Sequence, residues 1–155
     1  MPWYPKAILA VVAALTLALV LVRPVRAWAM RVDIRGLAAL HLIRFVGFYF
    51  LFLYGRGELP YGFAVRGGIG DIVVAALACA ILIFGKSKTV LVVWNVLGLV
   101  DILAVAGTAA RSEMLVPGSM HQLDRFPLIL LPTVVVPVII VSHGLMLWRL
   151  GKTDL

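Results

Sequence analysis

Apolar residues run through this chain in five long, nearly uncharged stretches, at 7–22, 36–54, 67–84, 89–109 and 126–148. Each is close to the roughly 20 residues of helix needed to cross a hydrocarbon core about 30 Å thick. None shows the strict alternation of a barrel strand, and a helix satisfies its own backbone in lipid, so the pattern predicts helices. The gaps carry turn and charge signals: Arg23-Pro24, Gly55-Arg56-Gly57-Glu58-Leu59-Pro60, Gly85-Lys86-Ser87-Lys88, and a longer segment at 111–125. The expected fold class is all-α, an integral membrane bundle of five transmembrane helices forming one domain over 1–155. No internal repeat is visible, and an odd number of spans excludes a simple two-fold duplication.

Composition agrees. Hydrophobic residues make up 63% of the chain and mean hydropathy is +1.09, well above a soluble domain. The net charge of +7 raises nucleic acid as a partner. The basic residues, however, are scattered singly along short loops without aromatic interleaving, which argues against it. That charge instead fits topology and attraction to anionic lipid. Cys79 is the single cysteine, so no intrachain disulfide or multi-cysteine metal site is expected.

The first stretch also resembles a secretory signal, with Lys6 ahead of it and the small-x-small run Ala27-Trp28-Ala29 behind. Arg23 and Arg26 fall where a signal peptide avoids charge, and the sequence starts at Met1 with the stretch in place, so a true span is expected.

Lys and Arg counts set the direction. One side would hold Arg23, Arg26, Arg31, Arg35, Lys86, Lys88, Arg149 and Lys152; the other Lys6, Arg56, Arg66, Arg111 and Arg125. The positive-inside rule then places the N-terminus outside and the C-terminus in the cytoplasm. Trp3, Tyr4, Trp28, Tyr54, Tyr61 and Trp148 fall near span ends, where amphipathic rings prefer to sit.

Chemistry is confined to a few polar residues inside the spans, where ionisable groups are costly and normally face the bundle interior. They are His41, Arg44, Asp71, Asn95, Asp101 and His143. At about 1.5 Å of rise per residue, His41, Arg44, Cys79, Asn95 and His143 lie roughly 6–10 Å from the cytoplasmic ends. Asp71, Asp101 and Tyr49 lie roughly 18–21 Å in, giving an inner cationic and imidazole layer and an outer carboxylate layer.

Two histidines at one depth on different helices suit the axial positions of haem b, with Arg44 on a propionate and Phe45, Phe48 and Phe50 walling the ring. Polar contacts within the bundle explain the same histidines without a cofactor, and a metal on His41, His143 and Cys79 has no ligand spacing behind it. Arg44 has no acid at its own depth, so it must reach Asp71 or Asp101, snorkel to lipid phosphate, or hold an anionic ligand.

Asp71 follows Gly67-Gly68-Ile69-Gly70, where a helix N-terminus would favour an acid. Asp101 sits mid-span and is expected to face inward, onto Arg44, Asp71, Tyr49 or water. If the two acids met they would share a proton, as suits proton-linked transport. Pro132 and Pro137 are expected to kink the last span and free the carbonyls of Leu128 and Thr133. The segment 114–124, with Met120 and His121, reads as a solvated loop.

The closing span, together with Gly70-Asp71 and Trp94-Asn95 through Asp101, resembles an uncharacterised family of small bacterial polytopic membrane proteins. The likeness covers spans two to five. It implies a multi-pass protein of the bacterial inner membrane and brings no activity.

Three functions follow. The first is a carrier or ligand-binding membrane protein, homo-oligomeric, with a polar pocket of Arg44, Tyr49, Asp71, Asn95 and Asp101. The second is a haem-b electron-transfer subunit ligated by His41 and His143. The third is a non-catalytic subunit of a larger membrane complex, packed through Ala76 and Ala80. No nucleophile–base pair or dense ligand cluster points to an enzyme or to a resident metal.

Overall fold

The computed structural model describes residues 2–84 and 87–152; Lys86, counted above for the basic side, lies outside them. Among the described residues there is no strand, and six helices follow one another. They are α1 (Trp3–Leu21), α2 (Arg23–Arg31), α3 (Ile34–Gly55), α4 (Gly62–Phe84), α5 (Lys88–Leu115) and α6 (Leu131–Lys152). All but α2 are long and apolar enough to cross a membrane.

Helix α2 fills the gap after the first apolar stretch, where the turn and charge signals predict loop. Pro24 stands in its first turn, where a missing N–H costs nothing. Ala29 is buried against the bundle while Trp28 is exposed, so the helix is amphipathic, with Arg23, Arg26 and Arg31 along it. The same end of the bundle is tied by arginine-to-carbonyl bonds, from Arg35 to Leu82 at 2.5 Å and from Arg149 to Val32.

The opposite end is built, not solvated. Helix α5 runs on to Leu115, and a 3₁₀ turn, His121–Asp124, folds back over the bundle. Glu113 accepts from the backbone N–H of Gly118 and Met120 at 2.7 and 2.9 Å, which fixes the reversal. Met120 and Leu123 then bury against Tyr4, Phe50, Phe63 and Ala109, so Met120 is core, and His121 is exposed. Tyr4 donates to the Ala109 carbonyl at 2.9 Å and Trp3 to Asp124 at 2.7 Å, tying α1 to this cap.

The last span begins at Leu131, not at 126. Pro127 disfavours helix at Phe126 before it, and 126–129 stay in turns, with Leu130 leading into the span. Both Pro132, in the opening π turn Leu131–Val135, and Pro137, at the start of the α-helical run, sit near the N-terminal end. The Leu128 carbonyl accepts from the N–H of Leu131, and Thr133 donates back to the Ile129 carbonyl at 2.7 Å.

Two apolar clusters fill the bundle. One, around Phe50, Phe63, Leu123 and Met120, lies toward the cap; the other, around Leu37, Ala78, Trp94 and Met146, lies toward the basic end. On every one of α3 to α6 the buried polar residues fall between the stretches that feed these clusters.

Helices α3 and α4 cross at glycines. A Cβ on Gly47 would strike the Gly68 carbonyl oxygen, and one on Gly68 would stand 2.9 Å from the Gly47 carbonyl oxygen. Because the obstacles are backbone, Gly47→Ala should destabilise the bundle by about 1–3 kcal/mol. A thermal melt in detergent reads this against Gly36→Ala, where nothing lies within 4 Å; equal melts would mean the crossing is looser than described.

Candidate functional site

Helix α3 tightens to a 3₁₀ turn over His41–Val46. In that geometry residues three apart eclipse. His41, Arg44 and Gly47 therefore line up along one edge, and all three are buried against α4 to α6. Arg44 is 2% exposed. Its Nε donates to Asp71 Oδ1 on α4 at 2.6 Å, its Nη1 to the Gly98 carbonyl on α5 at 2.9 Å, and its Nη2 to Asp101 Oδ2. The guanidinium is thus gripped from two neighbouring helices by two carboxylates and a carbonyl.

The sequence placed Arg44 a layer below the acids; its long side chain spans the difference. Each carboxylate takes an N–H from the arginine, which therefore reaches both acids at once. A helix N-terminus does not hold Asp71: α4 begins at Gly62 with a π turn, leaving Asp71 more than two turns inside. Gly70 makes room for the cluster, since a Cβ there would collide with the Asp101 carboxylate.

A second cluster abuts the first. Asn95 Nδ2 donates to the His143 carbonyl at 2.9 Å, which turns its Oδ1 to His143 Nδ1 at 2.5 Å. The His143 hydrogen therefore lies on Nδ1. Ser142 spends its hydroxyl hydrogen on the Ile139 carbonyl at 2.8 Å, so it accepts from His41 Nε2 at 3.1 Å. Both rings are wholly buried, and His41 Nδ1 and His143 Nε2 have no partner. Gly98 joins the clusters, because a Cβ on it would lie 2.7 Å from His143 Cε1 while its carbonyl serves Arg44.

The structure thus brings Arg44, Asp71 and Asp101 together and sends Asn95 to the histidines. Tyr49 joins neither: it is 43% exposed and stacks on Phe52 along the outside. Gly70, Gly98 and Ser142 were missed as site residues. Their signal was adjacency, a glycine beside or one turn before each acid and a hydroxyl next to His143.

Haem does not fit these histidines as placed. Their ring centroids stand 4.2 Å apart at a 48° tilt, whereas two imidazoles on opposite faces of one iron need about 6 Å. Of the proposed walls, Phe48 is exposed and stacked on Phe45, while Phe50 packs on Phe63 in the cap-side cluster. Cys79 is half-buried on α4 and joins no metal-sized group of ligands among the described residues.

Beside Arg44 and Asp71 lies a partly open cavity of about 50 Å³, otherwise lined by apolar residues such as Phe50, Phe63 and Ile139. That volume suits a few waters and no organic ligand.

A family model for a domain of unknown function, DUF8737, matches residues 2–151. The chain belongs to the DUF8737 family. No curated protein and no solved structure matches it. The match assigns no activity, so the chemistry of this DUF8737 chain has to be argued from its polar centre.

Removing one partner of a buried ion pair strands the other charge and costs about 3–5 kcal/mol. Arg44→Met should therefore lower stability by about that amount, leaving Asp71 and Asp101 facing apolar surroundings. The combined change Arg44→Met, Asp71→Asn, Asp101→Asn should restore most of the loss. Unfolding in denaturant reads both; an unaltered single variant would show that the cluster carries no net charge energy.

Proposed function

We propose that this chain is a multi-pass protein of a bacterial inner membrane that binds or carries a small ligand at the Arg44–Asp71–Asp101 centre. The observation that carries the reading is a guanidinium 2% exposed and bonded by carboxylates of two other helices, midway along helices fit to span a bilayer. Such groups are expensive at membrane depth, and a purely structural bundle is often as stable with apolar residues in their place. The cluster also holds two carboxylates for one cation, an imbalance a ligand or a proton can complete.

The basic residues favour an N-terminus outside and a cytoplasmic C-terminus, with α2 lying along the inner headgroups. Labelling a single cysteine placed in the tail tests that direction: reaction from the outside reverses it.

The haem reading has lost its geometry. The subunit or homo-oligomer reading keeps one observation, since Ala76 and Ala80 both face outward from α4. Isolation only with larger partners would favour it.

The ligand reading is tested by heating the purified protein with amphipathic cations, anions and neutral compounds. A ligand at a hundred times its Kd adds about 2.7 kcal/mol, so one class should raise Tm measurably in the wild type. The rise should vanish in Asp101→Asn. A panel in which no class responds removes the reading.

A further inference from the structure

The outer side of α4 and α5 carries a groove of about 700 Å³. Leu77, Ala80 and Phe84 line it from α4, Val93 and Leu97 from α5, with Trp94 among the lining residues. Its size lies within the roughly 300–1,000 Å³ of small-molecule sites. Phe84, Val93 and Leu97 are more than half exposed, so the groove opens toward whatever surrounds the bundle.

Helical spacing leads from this groove to the charged centre. Asp101 follows Leu97 by four residues on α5, and Gly70 precedes Leu77 by seven on α4, so each pair shares a helix face. Gly70 and the Asp101 carboxylate are in direct contact. The face that carries the groove therefore leads, one helical turn beyond Leu97, to Asp101.

Asp101 is also the reachable member of the cluster. Its side chain is 25% exposed, against 4% for Asp71 and 2% for Arg44. A ligand arriving along the groove meets a carboxylate, in a cluster whose acids outnumber its cation, while the guanidinium lies behind it with Nε, Nη1 and Nη2 all engaged. An anion would face repulsion and find no accessible donor. A cation on an apolar body places its charge on Asp101 and its bulk along Leu97, Val93 and Leu77, where low dielectric strengthens the pairing.

We infer that the α4–α5 groove takes lipophilic organic cations, with the positive centre on Asp101. The inference rests on the ligand-binding reading above and names the class of its ligand.

Tetraphenylphosphonium and tetraphenylborate test it, being alike in shape and opposite in charge. Titrated calorimetrically into the full chain in nanodiscs, the phosphonium should bind saturably and the borate should not. Asp101→Asn should weaken the phosphonium at least tenfold. Ala80→Trp fills the groove at an outward position away from the charged cluster and should weaken it as much, which decides the matter if Asp101→Asn does not fold.

Equal binding of both ions, or phosphonium binding indifferent to Ala80→Trp, overturns the inference and leaves a groove filled by lipid chains. Saturable binding of the borate alone overturns it while sparing the ligand-binding reading. Silence from both ions overturns it too, and only silence of the wider panel removes that reading as well.

Discussion

A buried arginine shared between two aspartates is the interaction on which the middle of this bundle depends. In water such a pair contributes little, because solvent screens it and the side chains lose entropy in holding one geometry. Between packed helices the sign of the argument changes. Desolvating a guanidinium is so costly that the surrounding chain must supply acceptors for it, and here three are supplied by α4 and α5. The rest of the middle layer follows from bringing those acceptors to one place.

The backbone accommodations are local and each has a steric cause. The 3₁₀ turn in α3 puts His41, Arg44 and Gly47 on one edge, which an α-helix of the same residues would spread over about 120° of its circumference. Gly47 and Gly68 then let α3 and α4 approach backbone to backbone. Gly70 admits the Asp101 carboxylate, and Gly98 lends its carbonyl to Arg44 while making space for His143. Four glycines thus serve one charged centre.

Apolar packing on either side isolates this layer. The cluster under the His121–Asp124 cap and the cluster near the basic end flank it along the helix axes, and of its charged side chains Asp101 is the most exposed. The histidines pack ring against ring and are held through Ser142 and Asn95, which leaves His41 Nδ1 and His143 Nε2 without a partner.

The amino-acid sequence alone shows five long apolar helices, because twenty-residue uncharged runs have no other solution in lipid. It also singled out Arg44, Asp71 and Asp101, because a charge inside such a run needs a reason wherever it occurs. What it did not determine was anything resting on periodicity within an almost uniformly apolar helix. Nothing in the residues around Tyr49 distinguishes an inward from an outward ring, and it lies outside. Depth counted along one helix likewise put Arg44 and the acids in different layers, since rise per residue ignores the reach of a long side chain. The amphipathic α2 and the cap carrying Met120 were read as loop, because short elements draw their stability from packing and not from pattern. Tertiary structure decided these points because register, rotation and side-chain reach are set by which helices touch, and a run of leucines and valines records none of that.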